Sequence, residues 1–476
     1  MNKLFALFII IPSFSLQAQV TFEKKIGGAG YQDGSIIAST HDGGFVIAGI
    51  QNGDTLNYSD IYILRVDSMG DSLWTKHWGA PGSNDFPSAI VETSDGGFLV
   101  STTTYSLSSQ APSYSDWWIL RLDASGDTLW TKMIRKPGND RMMCISENDD
   151  QSILCCGWWS MNGYAVGTML KLTSTGDSLW AVHIPSTGNS YAQFCMQDQN
   201  GNYLVAGSAL SGTFYGLVYE YDTSGQFLSL HTYDLPGTVE IINSVHHLPQ
   251  GGYLLSAKTG TLNGYDIWLL RVTEQWDTVW TRTFNDPIYL YDTEAKFAFD
   301  AVADSGCIFG GSKFTGLSSE AVIYRVDSSG NLEWTKFFGG SSPGEDKANS
   351  ILSLADGGFI FSGQADLVTN LEAEVYLVRT DGNGDVSGTT QIPAFSDNDD
   401  FIVYPNPAYE SINWKIPEGK NPKLRVFTTS GILVKELTLF SDSDKLYLQE
   451  FSPGMYVLEL NNEDSIYRTQ LIVFRH

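Results

Sequence analysis

One pattern, repeated every 50 to 54 residues, fills most of this 476-residue chain, and one copy is split between the two ends. It is plainest in Asp95-Gly96-Gly97-Phe98-Leu99-Val100, then Asp116-Trp117-Trp118-Ile119-Leu120-Arg121-Leu122-Asp123, then Gly126-Asp127-Thr128-Leu129-Trp130-Thr131-Lys132. The opening turn recurs at Asp42, Asp95, Asp149, Gln199, Gln250, Asp304 and Asp356. A period of this length means repeated supersecondary units, each too small to bury its own apolar faces, stacked in an array or a ring.

Each unit reads as four strands. In the first, residues 35–40 form a short apolar run, and Asp42-Gly43-Gly44 is a tight turn that requires positive φ. A second strand follows at 45–49, a polar stretch at 51–59, and a third strand at 60–67 rich in Ile, Leu, Val and Tyr. Ser68-Met69-Gly70-Asp71 is a second hairpin turn, and residues 72–78 are the fourth strand. No stretch sustains a period of 3.6, so helices are expected to be nearly absent. The seventh unit reaches residues 381–385 and then lacks its fourth strand. Phe22-Glu23-Lys24-Lys25-Ile26-Gly27-Gly28 aligns without gaps with Trp334-Thr335-Lys336-Phe337-Phe338-Gly339-Gly340 and supplies it. An N-terminal strand that completes the last unit closes a ring and leaves no blade with an open inner edge. The expected fold is all-β: a seven-bladed propeller over residues 19–388, closed by its N-terminal strand.

Gly27-Gly28-Ala29-Gly30, Ser35-Ile36-Ile37-Ala38, Arg65-Val66-Asp67 and Leu73-Trp74-Thr75-Lys76 together resemble the bacterial SBBP β-propeller repeats. That resemblance implies a propeller and no particular activity, because propellers host many unrelated functions.

The two ends read differently. Residues 1–18 have a signal-peptide pattern: Lys3, an apolar run at 4–11, and Leu16-Gln17-Ala18 before a cleavage point that leaves Gln19 first. That run is too short to span a bilayer, and no other stretch is long and apolar enough, so no transmembrane segment is expected. Residues 389–400 are a polar linker with an acidic run at 397–400. Residues 401–476 then carry seven short strands, expected as a small β-sandwich. Tyr404-Pro405-Asn406-Pro407-Ala408, Val426-Phe427 with Ser430-Gly431, Pro453-Gly454-Met455-Tyr456-Val457-Leu458 and Leu471-Ile472-Val473 resemble the C-terminal sorting domain of the type IX secretion system of Bacteroidetes. The resemblance implies passage across the inner membrane by the signal peptide and across the outer membrane by the tail. Its partners are then the type IX machinery and its sortase, and its destination the outer-membrane surface or the extracellular space.

The formal net charge of −26 argues against nucleic acid as a partner, since Lys and Arg are scattered rather than clustered. Five cysteines, Cys144, Cys155, Cys156, Cys195 and Cys307, make an odd count, so at least one thiol lies outside any intrachain pair. Cys144 pairs with Cys195 or with Cys155 in one reading. In the other, all are small buried apolar residues.

Candidate chemistry falls into four groups. Trp74, Trp130, Trp180, Trp280 and Trp334 recur once per fourth strand, with Ser229 and Phe22 at the equivalent places, which is what packing between blades demands. Arg65/Asp67, Arg121/Asp123, Arg325/Asp327 and Arg379/Asp381 recur on the third strand and read as structural. Asp33, Asp85, Asp140, Glu240, Asp292 and Asp346 recur where each unit begins, at one mouth of the central channel. Such a ring suits a divalent cation such as calcium, or each carboxylate caps its own loop; no other cofactor is implied. The loops between second and third strands carry Trp158, Trp159, Tyr164, Phe214 and Tyr215, aromatic groups suited to a glycan or protein ligand. The chain therefore reads as a non-enzymatic binding or scaffold module. The alternative is an extracellular polysaccharide hydrolase or lyase with acidic residues at the channel mouth.

Overall fold

The computed structural model describes residues 19–386 except 28–29, 53–57, 81–82, 109–113, 236–237, 262–263, 285–297, 315–318, 340–343 and 370–371. In the C-terminal unit it describes residues 402–473 except 405–407, 416–422, 429–432, 439–444, 450, 452–453 and 463–464. The signal-peptide reading of residues 1–18 with Ala18, Asp292, the linker at 389–400, Pro405, Asn406, Pro407, Ser430-Gly431 and Pro453 lie outside the described residues.

Seven four-stranded antiparallel sheets follow one another, and the described residues contain no helix. The first blade is Ile36–Ser39, Phe45–Asn52, Ser59–Val66 and Ser72–Trp78, in sequence order from axis to rim. The seventh takes Lys347–Ser353, Phe359–Thr369 and Glu372–Thr380 from one end of the propeller and Phe22–Ile26 from the other. Phe22 stands opposite Arg379, in the register that Trp334 has opposite Arg325. The N-terminal strand therefore closes the seven-bladed ring. Across the seam, the Gly34 N–H donates to the Gly363 carbonyl at 2.9 Å, and Ile37, Phe45 and Leu64 share a core with Phe22, Ile360, Val375 and Leu377. Each such buried aliphatic side chain contributes about 1.5–3 kcal/mol.

The repeat residues hold neighbouring blades together. Trp74 lies under Gly126 of the next blade so closely that a Cβ there would stand 2.8 Å from the indole. The same aromatic-under-glycine contact joins Trp130 to Gly176, Trp180 to Gly225, Trp280 to Gly330, Trp334 to Gly384 and, across the seam, Phe22 to Gly70. All six glycines have positive φ. The interface between blades four and five reverses the pair. Ser229 replaces the indole, and Trp276 occupies the glycine position at φ 67°. Trp276 stacks on Tyr253 at 4.4 Å and on His231 at 5.0 Å, and its indole N–H donates to Glu220 Oε1 at 3.1 Å. Lysines add a second tie between blades: Lys24 to Asp71 at 2.6 Å, Lys76 to Asp127 at 2.6 Å and Lys336 to Asp385 at 2.5 Å.

The recurring Arg and Asp of the third strand take structural roles, and two sequence expectations change in detail. Arg65 Nη2 donates to Asp42 Oδ2 at 2.7 Å and Arg121 Nη2 to Asp95 Oδ2 at 2.6 Å, in the first turn of the same blade. The Arg121 hydrogen bonds, with Thr93, hold the Asp95 carboxyl well below the usual carboxylate range. Asp67 caps its own turn, accepting from the N–H groups of Met69 at 2.8 Å and Asp71 at 2.9 Å. In the third and fourth units the turn residue equivalent to Asp42 is Asp150 and Asn200, one place after the expected Asp149 and Gln199. The positive-φ position after it is not always glycine: Gln151 and Ser305 hold it at φ 62° and 68°. All five cysteines are buried, and the Cys144 Sγ donates to the Cys195 carbonyl at 3.6 Å. Cys144 stands opposite Cys156 rather than Cys155, in the register set by the hairpin turn, where Glu147 faces Ile153 and Ile145 faces Cys155.

The C-terminal unit, Ser387–His476, is separate in its contacts. One sheet orders Ile402–Tyr404, Ser411–Lys415 and Leu446–Tyr447; the other orders Leu433–Thr438, Lys423–Thr428, Gly454–Asn462 and Ser465–Val473. Val403, Ile412 and Trp414 of the first share a core with Leu424, Val426, Leu458, Leu460 and Leu471 of the second, as a small sandwich requires.

Candidate functional site

The carboxylate at the start of each first strand ties that strand to the end of the second strand in its own blade. Asp33 Oδ1 accepts from Ser35 Oγ at 2.7 Å and from the Ile50 N–H at 3.1 Å, and Oδ2 accepts from Tyr31 Oη at 3.3 Å. Asp85 accepts from Ser106 Oγ at 2.5 Å, and Asp140 from the Ser160 N–H at 2.7 Å. Glu240 accepts from Thr238 and, at 3.1 Å, from Thr259 Oγ1. In the fourth blade Ser190 Oγ accepts from the Gly167 N–H at 3.0 Å, joining the fourth blade to the third. Asp346 is equally buried. The five described carboxylates thus lie on one face of the ring, each engaged locally. Among the described residues no three Asp, Glu, His or Cys side chains gather around a point where a metal ion would sit. Burial is the main influence on the protonation of Asp33, Asp140 and Glu240. It raises Asp33 above the usual carboxylate range, and it pushes Asp140 up to about 7, with nearby Asp116 adding to the rise.

The five predicted aromatic residues do not form one platform. Trp158 and Trp159 lie inside the strand Ile153–Met161, not in a loop, and both are buried. Successive strand residues point to opposite faces. Trp159 accordingly packs on Trp117 of the second blade at 5.4 Å, while Trp158 meets Tyr191 of the fourth edge-on at 5.0 Å. The strand continues through a two-residue turn, Asn162 at φ 53° and Gly163 at φ 84°, into Tyr164–Leu172. Tyr164 is exposed at the tip of that hairpin. Phe214 leans on Tyr191 at 5.7 Å, and Tyr215 packs against the core shared by blades three and four.

The groups that do converge come from the innermost strands. They enclose a cavity of about 640 Å³ on the axis, reached by residues of all seven blades. Phe86, Arg141 and Asp33 line it together with Asn243, His246 and Asn349. Phe86 and Arg141 each directly follow a mouth carboxylate, Asp85 and Asp140. The position after each mouth carboxylate is thus where the sequence marks them. Arg141 lies 5.9 Å from the Trp158 ring. His246 pairs with Asp300 at 3.3 Å and meets Phe299 edge-on at 5.1 Å. The arrangement offers hydroxyl and amide hydrogen bonds, apolar ring faces and one guanidinium in a single open cavity.

Comparison with known proteins bears on both parts of the chain. Residues 402–474 match the family described as the secretion system C-terminal sorting domain. No curated protein matches the chain. Among solved structures, a family PL25 ulvan lyase bound to -[GlcA(1-4)Rha3S]- is similar over 75% of this chain and 96% of that one, at 11% identity and a TM-score of 0.49. The Pseudomonas aeruginosa periplasmic gluconolactonase is similar over 64% of this chain and 84% of that one, at 13% identity and a TM-score of 0.44. A Dyadobacter fermentans protein of unknown function is similar over 76% of this chain and 99% of that one, at 10% identity and a TM-score of 0.43. Likeness at such identities concerns the fold alone. In the C-terminal unit, Tyr404 is exposed, while Tyr456 is buried against Phe451 at 5.3 Å on the strand that Gly454 begins. The chain thus carries a type IX C-terminal sorting domain behind a seven-bladed propeller, and is exported to the cell surface or the extracellular space.

Proposed function

We propose that the chain is a non-enzymatic binding module, delivered by its sorting tail, whose propeller holds a glycan or protein ligand at the channel mouth. The signal peptide is removed after Ala18, leaving Gln19 first, and the tail is cut away in or near the linker at 389–400 by the sortase of the export system. The observation that carries the binding reading is the axial cavity of about 640 Å³, within the size range of small-ligand sites and lined by polar and aromatic groups together. A propeller suits this role, because a closed ring fixes the lining residues and little ordering is left for the ligand to impose.

The test is to probe the secreted chain on an array of neutral and acidic glycans and to assay each bound glycan for cleavage. Retention of intact glycans is the expected result. Appearance of cleaved product would replace this reading with the polysaccharide hydrolase or lyase, with Asp33 as the first residue to examine because it lines the cavity and burial favours its protonated form. No retention of any glycan would leave the protein-ligand branch, to be pursued by crosslinking at the cell surface.

A further inference from the structure

The charged and titratable residues that line the axial cavity are Asp33, Arg141 and His246, and each is already held by a neighbour. Asp33 accepts from Ser35, Ile50 and Tyr31. Arg141 lies over the Trp158 ring. His246 Nδ1 faces Asp300 Oδ1 at 3.3 Å, and Asp300 Oδ2 accepts from the Ser353 N–H at 2.8 Å. An ion entering this cavity leaves water without meeting an unpaired opposite charge, which is costly. For an anion the long-range field adds to that cost, because the chain carries a net charge of −26.

The groups that remain open to a ligand are neutral. In the seventh blade Asn349 is the extra residue of a bulge between Ala348 and Ser350, and a bulge re-aims its side chain. Asn349 and Ser350 both line the cavity and both are only half-buried, so an entering molecule can reach them. Among the described residues no hydrogen bond holds either side chain. The Asn349 amide offers two donors and an acceptor, and the Ser350 hydroxyl donates and accepts. On His246, the Asp300 carboxylate assigns the ring proton to Nδ1 and leaves Nε2 as an acceptor. Phe194, stacked on that imidazole at 6.1 Å, and Phe299, edge-on at 5.1 Å, fix its plane. Apolar surface lies in the same space: Phe86 is 36% exposed, and Ile36 and Met196 are half-buried.

Building on the binding reading above, we infer that the cavity takes a short neutral saccharide. Its hydroxyl groups meet the Asn349 amide, the Ser350 hydroxyl and His246 Nε2, and the C–H face of one ring lies against Phe86. A sugar hydroxyl donates and accepts at once, which suits donors and acceptors mixed in one lining. A purely apolar ligand would cover the Asn349 and Ser350 side chains without replacing their hydrogen bonds to water, and an unreplaced bond costs more than a replaced one returns.

The test is calorimetric titration of the secreted chain with the neutral sugars maltotriose, cellotriose and mannotriose and, separately, with trigalacturonate. At least one neutral sugar is expected to bind with a Kd below about 1 mM, and at least about tenfold more tightly than trigalacturonate. Its affinity should change by less than about twofold as sodium chloride rises from about 0.05 to about 0.5 M, since no ion pair forms. Asn349→Ala should weaken it by at least about fivefold through the lost hydrogen bonds, and Phe86→Ala should weaken it through the lost ring face. Melting curves check that each variant folds; if one does not, the other replaces it, and the salt series needs no variant. No saturable binding of any of the neutral sugars, equal or tighter binding of trigalacturonate, affinity that falls with salt, or a folded Asn349→Ala chain with unchanged affinity would each overturn the inference. Array hits confined to acidic glycans, or a crosslinked protein partner with no glycan hit, would overturn the neutral saccharide while leaving the binding reading in place. Cleavage of a bound glycan would instead remove the binding-module reading.

Discussion

Exchanging the two residues that reverse the blade-four to blade-five interface should reveal their coupling. Trp276 is 7% exposed, and it fills the space that Ser229 leaves. Trp276→Gly empties that space, and loss of a large buried aromatic costs about 3–5 kcal/mol. Relief of the positive φ returns about 1 kcal/mol, since glycine holds that conformation without steric cost. The net expectation is a loss of about 2–4 kcal/mol. Ser229→Trp alone forces a second indole against Trp276 and should cost about 1–3 kcal/mol or more. The double variant places the indole on the fourth strand and the glycine in the turn, as at five of the other six interfaces. It should be far more stable than the sum of the single changes, with a coupling of about 3 kcal/mol. Full recovery is not expected, because the Trp276 indole bond to Glu220 and the stacking on His231 are lost. Urea unfolding of the four proteins followed by fluorescence supplies the numbers. Additive destabilisation would refute the reciprocal-packing account.

Three further outcomes follow from the same geometry. Deleting residues 19–27 should bare the edge of Glu372–Thr380 and remove the Lys24–Asp71 tie, so light scattering should show aggregation where the full ring stays monodisperse. Asp140 has its carboxyl raised to about 7 in the fold, so its contribution is fully present below about pH 4, where folded and unfolded chains both hold the proton, and is lost as pH rises towards 7. Solvent screening near the mouth reduces this to about 1–2 kcal/mol, so Asp140→Asn should raise the melting temperature at pH 8 and leave it nearly unchanged at pH 4. Gln151→Gly, at a turn that most blades build with glycine, should stabilise the chain by about 1 kcal/mol in urea unfolding, and a loss would show that the Gln side chain matters more than the backbone.

Most of the propeller was legible because its signals are local and repeated. The Asp-Gly turns, the Trp-Thr-Lys strands and the match of Phe22–Gly28 to the sixth blade led to the right ring and the right register at its seam. The errors arose where contacts join residues far apart in sequence. Nothing near Ser229 announces that Trp276 replaces its missing indole. The Arg65 side chain reaches back to Asp42 because the first turn and the third strand meet only once the sheet is paired. The Asn162-Gly163 turn was readable, since that dipeptide is a strong hairpin signal, and it would have moved Trp158 and Trp159 from a loop into a strand. The mouth carboxylates recur as a repeat in the sequence, but a repeat cannot say whether its members face one another or their own loops. The bulges that aim Asn243 and Asn349 at the axis leave no mark in a single sequence.

The central claim is that delivery and binding reside in separate parts of the chain, the tail exporting a ring that folds without it. Cells producing the chain without residues 401–476 test it directly, by fractionation and by the melting temperature of the recovered protein. The account predicts protein trapped in the periplasm, absent from the surface and medium, and melting within about 2 °C of the propeller transition in the full chain. Normal appearance of the shortened chain in the medium, or an unfolded ring in the periplasm, would contradict it.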